Sequence, residues 1–131
     1  MNDLDGIDLT KNGFAYRDLI SQDRWTEWTP TYSFATATSL TVVGRFKVVG
    51  KLCYFQIQTS GTSIATTAGA SYVSLPIAAA GYGGMGTMTN DTTDIAVGVG
   101  HIDVSTSRFY PPTQTASGNT FTMSGWFEIG A

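Results

Sequence analysis

Two runs of alternating apolar residues meet at a single glycine in VVGRFKVVGKLCYFQIQTSG, residues 42–61. A period of two is the signature of a half-buried strand and is incompatible with an amphipathic helix. Val42, Phe46 and Val48 fall on one side of the first run, with Gly44 between them, and Arg45 and Lys47 on the other. After a turn at Gly50 the second run sends Cys53, Phe55 and Ile57 one way and Tyr54, Gln56 and Gln58 the other. The stretch therefore predicts a hairpin with one core face and one face that meets water or a partner. The only cysteine, Cys53, lies on the core face, where it reads as a small hydrophobe rather than a reactive thiol.

The same grammar runs through residues 25–131. Thr and Val are frequent, Gly and Pro punctuate them, and no 3.6-residue period is sustained. Strands are expected over residues 31–34, 40–48, 51–59, 71–75, 84–89, 94–102, 107–110 and 119–129. In the last of these Phe121, Met123, Phe127 and Ile129 alternate inward, Gly125 marks a close approach and Trp126 points out. About eight strands with no crossover helices predict an all-β fold, an antiparallel β-sandwich or jelly roll. One domain is expected from 131 residues.

Charge divides the chain in two. Charged residues make up 13% of it, against a usual value of about 25%. Residues 1–28 hold six acids and three bases, whereas residues 29–131 balance four of each. Residues 1–24 read as an N-terminal arm, too short and polar to fold alone, with a short helix conceivable over residues 16–22. Leu4, Ile7, Leu9, Phe14 and Tyr16 are apolar residues with no place in a core complete from Trp28 onward. They are expected to be the arm's contact with another chain, with Asp3, Asp5 and Asp8 meeting basic groups there. A body so poor in charge is either covered by Thr, Ser and Gly or hidden in subunit contacts, and both are expected.

Composition also bounds the chemistry. A single cysteine and a single histidine leave no disulfide framework, multi-cysteine zinc site or two-histidine metal motif. There is no basic nucleic-acid footprint, no apolar run of membrane-spanning length and no signal peptide. No cofactor is expected. GYGGMG, residues 81–86, has the letters of a dinucleotide fingerprint, but no helix can follow it, so a closely packed or flexible glycine loop is the expectation. NDTTD, residues 90–94, reads as a polar hairpin loop rather than a calcium loop. His101 and Asp103 share one side of a strand, but no nucleophile accompanies them. The chain is not expected to be an enzyme, and a small glycan-cleaving domain is the weakest of the readings. Trp28 is expected to cap the core and Trp25 to anchor the arm. Trp25, Tyr110 and Trp126 are the candidates for a subunit or glycan contact.

WTPTY (28–32), the 42–58 hairpin, VSLP (73–76) and the closing SGWFEIG (124–130) occur in an order and spacing that resembles a known group. It is that of the small β-sandwich domains at the tips of tailed-bacteriophage fibres and on some phage heads. The resemblance covers roughly residues 25–130. It implies a jelly-roll-like sandwich, a homotrimer and a place on the virion surface after assembly in the host cytoplasm, and it carries no catalytic residues. Two functions follow as expectations. The first is a trimeric capsid decoration or cement protein, anchored by its arm to the major capsid protein or another virion protein. The alternative is a receptor-binding tip that reads host surface glycan. A chain that starts at its own Met1 with no fibre shaft favours the first.

Overall fold

The computed structural model describes residues 25–130. Among them there is no helix, and nine strands run in chain order: β1 (Thr26–Trp28), β2 (Tyr32–Ser33), β3 (Thr36–Val49), β4 (Leu52–Thr66), β5 (Tyr72–Ser74), β6 (Ala79–Asn90), β7 (Ile95–Asp103), β8 (Arg108–Tyr110) and β9 (Gln114–Ile129). They form one hydrogen-bonded sheet in the order β1-β3-β4-β9-β6-β7-β8-β5-β2, every pairing antiparallel. Its two outermost strands, β1 and β2, are separated in the chain by only Thr29, Pro30 and Thr31. That link spans at most about 14 Å, so the sheet must fold over until its margins nearly meet. The result is a two-layer sandwich, the expected all-β class. The expected strands are all present and several are longer; β1 is an addition that alternation over three residues could not reveal. The helix conceived over residues 16–22 lies outside the described residues.

Between the layers sits one core, built from Val42, Cys53, Phe55, Ile57, Ile64, Val73, Met88, Ile102, Phe109, Phe121, Met123 and Phe127 among others. Its organising feature is a single row across the inner face. Phe46 pairs with Phe55, Phe55 with Gly125, Gly125 with Gly86 and Gly86 with Gly100. Two large rings are thus followed by three consecutive positions with no side chain. Phe109, reaching across from β8, lies over Gly86 and Gly100 in this trough, fully buried and 5.6 Å from the Phe55 ring, while Gly125 lies close against the backbone of Met85 and Gly86. A methyl group at Gly86 would stand 2.6 Å from the Phe109 ring and 3.1 Å from that of Phe55. Residues 81–86 lie within β6 and divide in two: Gly84 and Gly86 pair and pack in the middle of the sheet, as the strand expected from residue 84 requires, whereas Gly81 and Gly83 take left-handed φ values in an excursion between the paired Ala79 and Gly84 that leaves Tyr82 exposed.

The hairpin of β3 and β4 has the expected inner face, with one correction. Val48 is 36% exposed although its cross-strand partner Cys53 is fully buried, because β1 borders β3 only as far as Phe46 and leaves Val48 at an open margin near the Gly50 turn. Trp28 caps the core as expected: its ring packs edge-on to Phe46 at 5.8 Å and fills the space over Gly44. Its Nε1 is buried without a hydrogen-bond partner. The 90–94 segment is a polar hairpin turn, in which Asn90 Oδ1 accepts from the backbone N–H groups of Thr92 and Thr93.

Replacing Gly86 with Ala is expected to cost about 3 kcal/mol, since two buried rings and the paired backbone block any adjustment. Gly130→Ala, where an added methyl meets nothing, is the control and is expected to be neutral. Urea unfolding of the two variants measures the difference; equal midpoints would rule out the trough as a packing constraint.

Candidate functional site

Side chains alternate strictly across a strand, so the row next to the glycine trough must point outward. On the outer face Lys47 pairs with Tyr54, Tyr54 with Trp126, Trp126 with Met85, Met85 with His101 and His101 with Tyr110. Three aromatic rings, a thioether, an imidazole and an ammonium thus form a band across the strands of the sheet. Trp126 is 37% exposed, and Val43, Val49 and Val99 stand around the band at 50% or more. The outward Trp126 read from the sequence is borne out.

At one end the band deepens into a groove of about 540 Å³ between Trp25 and Trp126, floored by Tyr54, Gln56 and Ser124 and rimmed by Lys47. Trp25 forms the outer wall. The Arg45 guanidinium lies 5.0 Å and the Lys47 ammonium 5.2 Å from its ring centre, within cation–π range. Arg45 Nε also donates to Gln56 Oε1 at 2.8 Å, which holds the amide against the groove floor. Lys47 is thereby held at the groove's rim, while Arg45 lines a neighbouring groove together with Glu27, the residue opposite it on β1.

Two of the three candidate contact residues, Trp25 and Trp126, therefore share one site. Tyr110 does not join them. It stacks on His101 at 6.4 Å beside another groove, of about 480 Å³, lined with Val99, Pro111 and Pro112. Arg108 covers Tyr72 nearby at 3.8 Å. Tyr54 and Gln56 were legible as outward residues of the hairpin. Met85 was not, because its face depends on the register of a glycine-rich strand that shows no alternation of its own. Leu4, Ile7, Leu9, Phe14 and Tyr16 lie outside the described residues.

His101 and Asp103 are not aligned for proton transfer. Asp103 accepts from Ser105 N, Ser105 Oγ and Thr106 Oγ1 at 2.8–3.0 Å. The hydrogen bonds from Thr106 and Ser105 hold its carboxyl below the ordinary range. Its role is to tie the β7–β8 turn. Among the described residues no three His, Cys, Asp or Glu side chains gather as metal ligands. Comparison with known proteins finds no matching family model, no matching curated protein and no matching solved structure.

Cys53 sits behind the groove floor at zero exposure, and burial pushes its thiol from 9.0 up to about 11. The folded chain therefore holds this proton more tightly than the unfolded chain does. Its stabilising effect is full below about pH 9 and is lost as pH rises toward 11, by about 2–3 kcal/mol at the limit. The fall should be present in the wild-type chain and missing from Cys53→Ala, as read by urea midpoints at about pH 8 and about pH 10.5. Cys53→Ser is expected to cost about 1–3 kcal/mol, and native Cys53 should resist thiol reagents. Rapid labelling of the folded protein would refute this placement.

Proposed function

We propose that this chain is a structural protein of a phage virion surface, a homotrimeric decoration or cement protein held to the major capsid protein or another virion protein through residues 1–24. The outward sheet face carries the reading. It presents Val43, Val49, Met85, Val99 and Trp126 to solvent on a body that has almost no charge to keep it apart from other chains. Exposed apolar patches on charge-poor surfaces are the mark of protein interfaces. The resemblance of residues 25–130 to phage sandwich domains supports the trimer and the location.

The groove supports a second reading. Trp25, Tyr54 and Trp126 are rings of the kind that stack on sugar faces, and Gln56 and Ser124 between them could hydrogen-bond hydroxyls. A receptor-binding tip that takes host surface glycan would use these groups.

Light scattering separates these from a simple monomer. A trimer of the 14.0 kDa chain has a mass of about 42 kDa. Removal of residues 1–20 should leave a folded body, since every strand from β1 onward is kept, and should abolish attachment to bare phage heads. Attachment of the wild type should weaken only partly in high salt, because charge pairs are screened and apolar contacts are not. A truncated protein that saturates heads with wild-type affinity would show that the arm is not the anchor. Retention on immobilised host glycan, lost in Trp126→Ala, would favour the second reading.

A further inference from the structure

The groove between Trp25 and Trp126 does not end at Gln56. The neighbouring groove, of about 810 Å³, shares Gln56 with it and continues along the same strands as far as Val43 and Gln58. The register builds the two from three successive outward rows. Lys47, Tyr54 and Trp126 form the first. Glu27, Arg45, Gln56 and Ser124 form the second, and Val43, Gln58 and Thr122 the third. Along β3 the lining runs from Val49 to Val43, about 20 Å. Across the strands, β3 and β9 stand only about 10 Å apart on either side of β4. The cleft is therefore longer than it is wide, and it runs with the strands.

The lining selects its occupant. At one end the Trp25, Tyr54 and Trp126 rings offer flat apolar faces. Beyond them the rows offer uncharged hydrogen-bonding groups: the amides of Gln56 and Gln58 and the hydroxyls of Ser124 and Thr122. Arg45 Nε donates to Gln56 Oε1, which takes up the amide oxygen and leaves the amide nitrogen as a donor. Thr122 Oγ1 donates to Asp91, which leaves that oxygen as an acceptor. Charge in the middle row is balanced, with Arg45 opposite Glu27. A protein partner would bury these groups against side chains that do not match them one for one, and each group left unpaired counts against binding. A chain of sugars carries hydroxyls at every step of its length and a ring face for the tryptophans. We infer that this cleft binds an extended, uncharged glycan chain lying along the strands, with one sugar between Trp25 and Trp126 and its neighbours over Gln56, Ser124, Gln58 and Thr122. The inference rests on the glycan reading above and adds the length, direction and charge of the ligand.

The probe is an array of neutral and acidic bacterial surface glycans, each immobilised as fragments from single sugars to hexamers. It is read with the full-length wild type, Trp126→Ala, Gln58→Ala and Tyr82→Ala, each first shown to be folded by its urea midpoint. Tyr82, 99% exposed and outside the cleft, is the control. Trp126→Leu replaces Trp126→Ala if the latter does not fold. Wild type and Tyr82→Ala are expected to hold the longer uncharged fragments at least about tenfold more tightly than single sugars, because more rows are engaged. Trp126→Ala should lose every fragment. Gln58→Ala, at the far end, should lose the advantage of the longer fragments and keep the short ones. Equal retention of single sugars and longer fragments, untouched by Gln58→Ala, would overturn the extended cleft and leave the glycan reading standing. Retention confined to acidic fragments would overturn the uncharged ligand. Retention of no fragment would overturn this inference together with the glycan reading. A wild-type trimer that Gln58→Ala or Trp126→Ala dissociates would then make a second copy the occupant of this face.

Discussion

The seat of Phe109 on Gly86 and Gly100 is the contact on which the rest of the molecule depends. Gly125, Gly86 and Gly100 lie side by side on β9, β6 and β7, and together they remove a full layer of side chains from the inner face. Without that gap the β8 layer would stand off by the thickness of a methyl group, and the rings of Phe55 and Phe109 would lose their contact. Cores are packed close to crystal density, so such a displacement is not absorbed locally. The layer that carries β5 and β2 would move with it, and the Thr29–Thr31 link between the sheet margins would no longer span them.

The inner row also dictates what lies outside. Parity in a strand is absolute, so residues one step from the trough face away from the core whatever their chemistry. Tyr54, Trp126 and Met85 are placed outward by the same register that puts Phe55, Gly125 and Gly86 inward. The apolar band is thus no leftover of an imperfect core. An inward Trp126 would require a one-residue slip that exposes Phe127 and Met123, both fully buried, and burying each is worth about 1.5–3 kcal/mol. The outward rings are kept where the sheet's register holds them, with the Lys47 cation at one end of the row.

Much of this was readable in the sequence, and the reasons differ by segment. The β3–β4 hairpin and β9 announce themselves because large apolar residues alternate with polar ones; the inward Cys53 and the outward Trp126 followed directly. Strand β6 was read short, as beginning at Gly84, because glycine carries no pattern: a residue without a side chain has neither an apolar nor a polar face to alternate. Strand β1 escaped notice since three residues hold no period, and its existence depends on Trp28 packing over Gly44. The groove was only half legible. Its residues could be assigned to an outer face, but the meeting of Trp25 with Trp126 depends on a strand order in which β9 lies between β4 and β6, and this pairing cannot be counted off the chain.

Trp25 and Trp28 hold one margin of the sheet from its two sides. β1 is three residues long and closes one margin of the sheet, so its attachment owes little to backbone pairing alone. Trp28 holds it from within through Phe46, at the expense of a buried Nε1 that donates to nothing. An unsatisfied buried donor costs about 1–3 kcal/mol, which offsets much of what the ring's burial contributes. Trp25 holds the same strand from outside through the Arg45 and Lys47 cations. β1 is therefore held at its margin as much by these two rings as by its three backbone pairs. Any partner that engages the groove or the arm also fixes Trp25, and through it β1, so binding stabilises the fold by mass action in proportion to its affinity.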